Sequence, residues 1–227
     1  MSAAAMTVAL HTCCGPCSSS CVPRLKELGH DVVMFFANSN IDSKQEFMRR
    51  LVEAQKVADA EGVKLVALKY DHEEWLREVA AGLENEPERG ERCAKCFRYS
   101  LGKTMQFAKE MGIGAFTTTL TVSPHKDTKV IFREAGLLPY EPGSPKFLEE
   151  NFKKHDGFAK SMARSTELGL YRQKFCGCEF SIRPPKPKKP RVPKPATAPE
   201  GATADAEASA ASPDLLARPA VCGLPPT

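Results

Sequence analysis

Residues 31–37 read Asp-Val-Val-Met-Phe-Phe-Ala, a strand that is apolar without a break after its first residue. A strand of that pattern is buried on both faces, which requires a sheet covered by helices on both sides. It ends in Asn38-Ser39-Asn40, a polar cluster at its carboxyl end. A shorter run over 7–10 precedes it and another over 63–68 follows, and the segments between them carry helical signals. Residues 18–28 form a helix stopped by Gly29, and Pro23 is expected to kink it or delay its start. Ser43-Lys-Gln-Glu46 is a capping box. Behind it Phe47, Leu51, Ala54 and Ala58 recur at helical spacing until Gly62. Strands alternating with helices predict an α/β fold, a layered parallel sheet of about five strands.

The rest of the chain continues the alternation. Asp71 and Glu74 repeat the capping pattern before Trp75, Leu76 and Val79. An acidic loop over 83–92 leads to Cys93, placed just before or on the first turn of a long helix. Its expected buried stripe is Phe97, Leu101, Met105, Ala108 and Met111, ended by Gly112. Residues 116–122 predict a Thr-rich fourth strand running into Ser123-Pro-His-Lys-Asp127. Residues 130–135 are helical, closed by Gly136; residues 146–148 suit a short edge strand; residues 157–168 form the last helix. These elements define a domain over 1–181. Residues 182–227 hold eleven of the eighteen prolines and read as a disordered Pro/Ala/Lys-rich tail.

Of the net charge of +4, +3 belongs to that tail (seven Lys/Arg against four Asp/Glu), so the domain lacks a strong nucleic-acid footprint by charge alone. No apolar run approaches the ~20 residues that cross a bilayer, and the first residues lack the basic start of a signal peptide. A cytoplasmic location without membrane contact is the expectation. In that compartment nine cysteines read as metal or redox residues rather than as staples.

Six of them fall in three doublets. His11-Thr-Cys13-Cys14-Gly-Pro-Cys17 follows the first strand and opens a helix, where backbone amides favour thiolates. Cys93-Ala-Lys-Cys96 and Cys176-Gly-Cys178 are the others. Cys13, Cys14, Cys93 and Cys96 supply the four thiolates of an iron–sulfur cluster; zinc accepts the same set. Adjacent cysteines reach one small cluster only if the turn distorts. Cys176 and Cys178 read as a strained redox disulfide or as ligands of a second metal. Cys14-Gly-Pro-Cys17 also fits the dithiol of a thioredoxin-like oxidoreductase, a reading that leaves the other doublets unexplained. Cys17 joins the metal site or packs against the helix, and Cys21 packs.

Ligands of parallel sheets sit outside the carboxyl ends of the strands. The Cys13-Cys14 turn, Asn38 and the 123–127 segment all fall there. His125 is a candidate proton donor, Lys126 a candidate phosphate contact, and Ser123 and Asp127 are equally suited to capping. Asp156 suits the cap of the last helix. Tyr171 and Arg172, just before the last thiols, suit a stacked or hydrogen-bonded nucleoside.

Taken together, His11–Ser18, Glu91-Arg-Cys-Ala-Lys-Cys-Phe97, Phe116–Lys126, Asp156-Gly-Phe158 and Leu170-Tyr-Arg-Gln-Lys-Phe-Cys-Gly-Cys178 resemble the cobalamin-independent epoxyqueuosine reductases (QueH) over about residues 6–181. The resemblance implies a HUP-like fold, related to the ATP pyrophosphatases. It implies reduction of epoxyqueuosine to queuosine on the wobble base of tRNA, with two electrons from a separate, unidentified donor. It further implies a 4Fe-4S cluster on Cys13, Cys14, Cys93 and Cys96, with Cys176 and Cys178 as a redox-active dithiol or as ligands of a second, mononuclear iron. Phe97-Arg-Tyr-Ser100 and the Pro/Gly-rich 137–145 segment depart from the family pattern.

Overall fold

A computed structural model describes residues 5–182. Beyond Ile182, the expected tail lies outside the described residues.

Five strands form one parallel sheet: β1 (Thr7–His11), β2 (Asp31–Phe36), β3 (Lys64–Ala67), β4 (Ala115–Thr118) and β5 (Lys146–Phe147), in the order β3-β2-β1-β4-β5. The α/β class, the parallel arrangement and the strand number are those expected. The helices are α1 (Gly15–Glu27), α2 (Lys44–Glu61), α3 (His72–Trp75, continued by a π-helical turn over Leu76–Ala80), α4 (Glu91–Glu110), α5 (Thr128–Gly136) and α6 (Gly157–Glu167). The chain builds outward from β1 through β2 to β3, then returns past β1 to place β4 and β5. The strand order therefore reverses between β1 and β4, and the crevice of a doubly wound sheet opens there.

The apolar run in β2 works as its pattern requires. Met34 and Phe36 join α1 and α2 residues Val22, Leu25, Phe47, Ala54 and Val57 in one core. Phe35 and Ala37 face the other way, into a second core with Leu101, Phe107 and Ile113. Phe35 stacks on Phe107 with ring centroids 4.1 Å apart. In β1, Val8, Ala9 and Leu10 are fully buried, and Val8 is in register with both Val32 and Ala115.

Local rules set most element ends. The Ser43 side chain accepts from the Glu46 amide, and Gly62 closes α2 in the left-handed region at φ 62°. Asp71 accepts from the Glu74 amide at 2.9 Å, and Asp127 from the Lys129 amide at 2.8 Å.

Several expectations need correction. Helix α1 starts three residues early, at Gly15, and runs on through Pro23. Pro16 explains the early start, because a proline in the first turn gives up an N–H that the helix does not use. A Cβ on Gly15 would lie 2.4 Å from the Glu53 carbonyl oxygen, so α1 and α2 meet closely only with glycine here. The fourth strand stops at Thr118. Its hydroxyl accepts from the Leu120 amide at 3.1 Å and pulls Thr119–Val122 into a 3-10 turn. Met111 is half exposed, because it sits at the end of α4 where Gly112 turns the chain away. Gly136 lies within α5 rather than beyond it. Asp156 occupies the cap position of α6, but its side chain makes no cap hydrogen bond.

One buried carboxylate joins α4 to α5. Glu134 is 2% exposed at its side chain and accepts from Arg98 (2.6 and 2.8 Å) and Arg133 (2.8 and 3.0 Å). Glu134→Gln keeps the shape and removes the charge, and is expected to cost about 1.5–3 kcal/mol in urea unfolding. A change below about 0.5 kcal/mol would place this pair among the surface ion pairs of little worth.

Candidate metal centre

The turn after β1 is held by the strands on either side. The Thr12 amide donates to the Phe35 carbonyl at 2.8 Å, and Asn38 Nδ2 donates to the Thr12 carbonyl at 2.8 Å. On the β4 side, His11 Nδ1 and Thr118 Oγ1 are 2.9 Å apart, and the Cys13 amide donates to Thr119 Oγ1 at 3.1 Å. Cys14 is then the N-cap of α1, extended at φ −174° and ψ 164°. This conformation brings the neighbouring sulfurs together: Cys13 Sγ and Cys14 Sγ are 3.8 Å apart, and with Cys17 Sγ all lie within 4.8 Å of one another. One turn of α1 carries Cys17 back to the site, which places it in the sulfur group rather than in the packing alone. Cys21, a further turn along, is fully buried in the core.

The three thiols differ in acidity. Hydrogen bonds from the Cys13 and Cys17 thiols hold Cys14 well below the usual thiol range. Hydrogen bonds with Cys13 and with Cys14, together with burial, push Cys17 well above it. Two side chains aim donors at the sulfurs: Gln173 Nε2 at Cys14 Sγ (3.0 Å) and the Thr119 hydroxyl at Cys13 Sγ (3.3 Å).

Gln173 belongs to an irregular strap, residues 171–178, that crosses the site and is gripped by one polar face of α2. Glu53 accepts from the Tyr171 amide at 3.0 Å, and the Arg49 guanidinium lies 3.3 Å from the Tyr171 ring centroid. Arg50, 2% exposed, donates to the Cys176 carbonyl at 2.7 Å and the Phe175 carbonyl at 3.3 Å, while Glu46 accepts from it at 2.7 Å. The Gly177 carbonyl accepts from the Asp42 amide at 3.0 Å, with Gly177 at φ 144°.

The strap brings the third doublet to the second. Cys178 packs with Trp75, Val79 and Cys96, and Cys176 interacts electrostatically with Cys96 and Cys93. Burial raises the pKa of both Cys96 and Cys93. Cys93 Sγ accepts from the Arg89 amide at 3.2 Å. Lys126 lies within electrostatic reach of both sulfur groups. Burial works against its charge, yet the facing sulfurs of Cys176, Cys13, Cys17 and Cys14 outweigh burial and raise its pKa. Every described cysteine is a free thiol, Cys176 and Cys178 included.

The other expected residues lie around this centre with partners of their own. Asn38 is 4% exposed and spends its amide on the turn. His125 is exposed, and its amide donates to Ser123 Oγ at 3.3 Å. Lys153 Nζ donates to the Lys126 carbonyl at 2.6 Å, tying down the 123–127 segment. Arg172 donates to Ser165 Oγ at 3.2 Å. His11 is buried and structural, and burial lowers its pKa.

Three converging sulfurs, one of them eased toward thiolate, with donors directed at two of them, fit a sulfur-ligated metal group. Cys93 and Cys96 stand outside the close triplet. The residues that the sequence reading missed are Gln173, Thr119, Arg50 and Glu53. Only the Gln173 position, three residues before Cys176, carried any signal.

A family model described as Epoxyqueuosine reductase QueH matches residues 8–184. The chain is 36% identical over 183 residues to the Epoxyqueuosine reductase QueH of Streptococcus pyogenes, covering 78% of this chain and 71% of that protein. It is 32% identical over 179 residues to the protein of the same name from Thermotoga maritima, covering 78% and 90%. Among solved structures, the U34-tRNA thiolase NcsA from Methanococcus maripaludis with its 4Fe-4S cluster aligns at TM-score 0.48 and 14% identity, over 78% of this chain and 61% of that one.

Arg50 holds the strap through two carbonyls, and one hydrogen bond to a charged group is worth about 1.5–3 kcal/mol. Arg50→Ala is expected to open the strap at least about tenfold more often. Maleimide labelling followed by peptide mass mapping should then find Cys176 modified faster while Cys21 stays protected. An unchanged Cys176 rate would show that other contacts hold the strap.

Proposed function

The chain belongs to the epoxyqueuosine reductase QueH family, and we propose that it reduces epoxyqueuosine to queuosine at the wobble position of tRNA, the last step of queuosine biosynthesis. In that reaction two electrons and two protons enter, both carbon–oxygen bonds of the epoxide break, the oxygen leaves as water and a carbon–carbon double bond forms. The observation that carries this reading is the sulfur-rich centre at the β1/β4 switch point, where Cys13, Cys14 and Cys17 converge beside Lys126.

In this reading Cys13, Cys14, Cys93 and Cys96 would hold a 4Fe-4S cluster, with Cys17 packed beside its first two ligands. A cluster there would supply one-electron redox chemistry, with the electrons coming from an external donor. The chain's own residues do the remainder. Lys126, charged and facing the sulfurs, attracts the negative charge that develops on the departing oxygen or the adjacent phosphate. His125, exposed on the same segment, delivers a proton. Arg49 already covers one face of the Tyr171 ring. A splayed base would stack on the opposite face, with Asn38 and Arg172 at the edge of the substrate. Cys176 and Cys178, free in this structure, act as a redox dithiol or hold a second iron. A thioredoxin-like role for Cys14 and Cys17 is not favoured, because Cys13 shares their triplet and family membership accounts for the other doublets.

Among the described residues no helix is long and apolar enough to cross a membrane. An RNA substrate requires no such helix.

Mass analysis of anticodon nucleosides tests the reading. Deleting the gene should replace queuosine by epoxyqueuosine, and the wild-type gene should reverse this. Cys93→Ser should fail to reverse it and should purify anaerobically without brown absorbance or acid-labile sulfide. Unchanged queuosine after deletion would contradict the activity, and full rescue by Cys93→Ser would contradict the ligand set.

A further inference from the structure

Hydrogen bonds to thiolate ligands are among the levers that set the potential of a sulfur-bound redox group. Two side chains besides the cysteines themselves offer such bonds here, and neither titrates. Gln173 Nε2 lies 3.0 Å from Cys14 Sγ, and Thr119 Oγ1 lies 3.3 Å from Cys13 Sγ. They come from different parts of the chain, the strap and the end of β4, yet each meets one sulfur of the adjacent pair.

We infer that Gln173 and Thr119 set the reduction potential of the metal group at Cys13 and Cys14 by donating hydrogen bonds to those two sulfurs. This rests on the reading that these cysteines are ligands. Gln173 is not required to hold the strap, which is pinned on both sides of it. Glu53 and Arg49 fix Tyr171, and Arg50 fixes the carbonyls of Phe175 and Cys176. Its amide is thereby held in place for the sulfur. Thr119 is a relay: its oxygen accepts the Cys13 amide at 3.1 Å while its hydrogen points to the Cys13 sulfur. A donor already polarised by accepting a bond donates more strongly.

The direction of the effect follows from charge. Reduction adds an electron to the group and to its thiolates, and a donor stabilises the more negative state. Both residues therefore raise the potential, which eases entry of electrons from the external donor. They act through the ligands and are positioning residues rather than catalytic ones.

The test is a potentiometric titration of the anaerobically purified protein, followed by electron paramagnetic resonance, for wild type, Gln173→Leu, Gln173→Glu, Thr119→Val and Thr119→Ser. Thermal melting and iron content are measured alongside. Gln173→Leu is expected to carry full iron, to melt as wild type and to have a more negative midpoint, with kcat reduced and KM for the tRNA unchanged. Gln173→Glu, which places a carboxylate against the sulfur in the same volume, should shift further in the same direction. Thr119→Val should shift likewise, and Thr119→Ser should return to the wild-type midpoint. An unchanged or more positive midpoint in iron-replete Gln173→Leu overturns the inference. So does loss of iron from both Gln173 variants in folded protein, which would make Gln173 an assembly residue. Wild-type protein that binds no iron would instead overturn the reading beneath it.

Discussion

The hydrogen bond from the Cys13 amide to the Thr119 hydroxyl ties together the chain ends that leave β1 and β4, where the strand order reverses. β1 and β4 are neighbours, but the chain leaves them for elements on opposite sides, so their carboxyl ends diverge into a crevice. Polar backbone at such a point needs partners. The protein supplies them from threonines at the end of β4 and from Asn38 at the end of β2. With the backbone of the turn satisfied, Cys14 can adopt an extended cap conformation, and α1 can begin at Gly15 with its sulfurs side by side. The site is thus a consequence of parallel topology, since only a parallel sheet places these strand ends in one row.

A second constraint is the hold of α2 on the strap. Residues 46, 49, 50 and 53 lie on one helical face, and each contacts the 171–178 segment, Arg50 and Glu53 from buried positions and Arg49 from an exposed one. The strap has no regular secondary structure of its own, so side chains fix it. That is a costly way to position backbone, because it buries Arg50 and Glu53. Those charges are tolerable because Glu46 and the strap carbonyls satisfy Arg50, while Lys56 and the Tyr171 amide satisfy Glu53. What the protein gains is a third chain segment over the sulfur group, carrying Gln173 to Cys14 and Cys176 toward Lys126.

This division explains what could be read from the sequence. The doubly covered sheet followed from the unbroken apolar run in β2, and the ends of α2 from Ser43, Glu46 and Gly62. Those signals are local, and local rules decided the outcome. The fourth strand ends sooner than its sequence implies, because Thr119, Leu120, Thr121 and Val122 are as strand-like as the residues before them. The stop comes from a hydroxyl–amide bond that composition does not reveal. Met111 matched the buried spacing of α4, but the helix ended under it. Of the site, the cysteines and the 123–127 segment were visible by residue type. Cys17 was undecided because its place depends on where α1 starts, and Pro16 moved that start. The α2 clamp was hidden, because glutamates and arginines on one helical face read as a solvated surface until the strap is laid across them.

The central claim is that distant cysteines gather around iron at the β1/β4 crevice. Anomalous diffraction at the iron edge, from anaerobically grown crystals of the full chain, addresses it most directly. The account expects iron bound to Cys13 and Cys14, with Cys93 and Cys96 completing the ligand set, and Gln173 within hydrogen-bond distance of the Cys14 sulfur. Zinc in that position, or iron bound elsewhere with the Cys13–Cys14 turn left free, would contradict it.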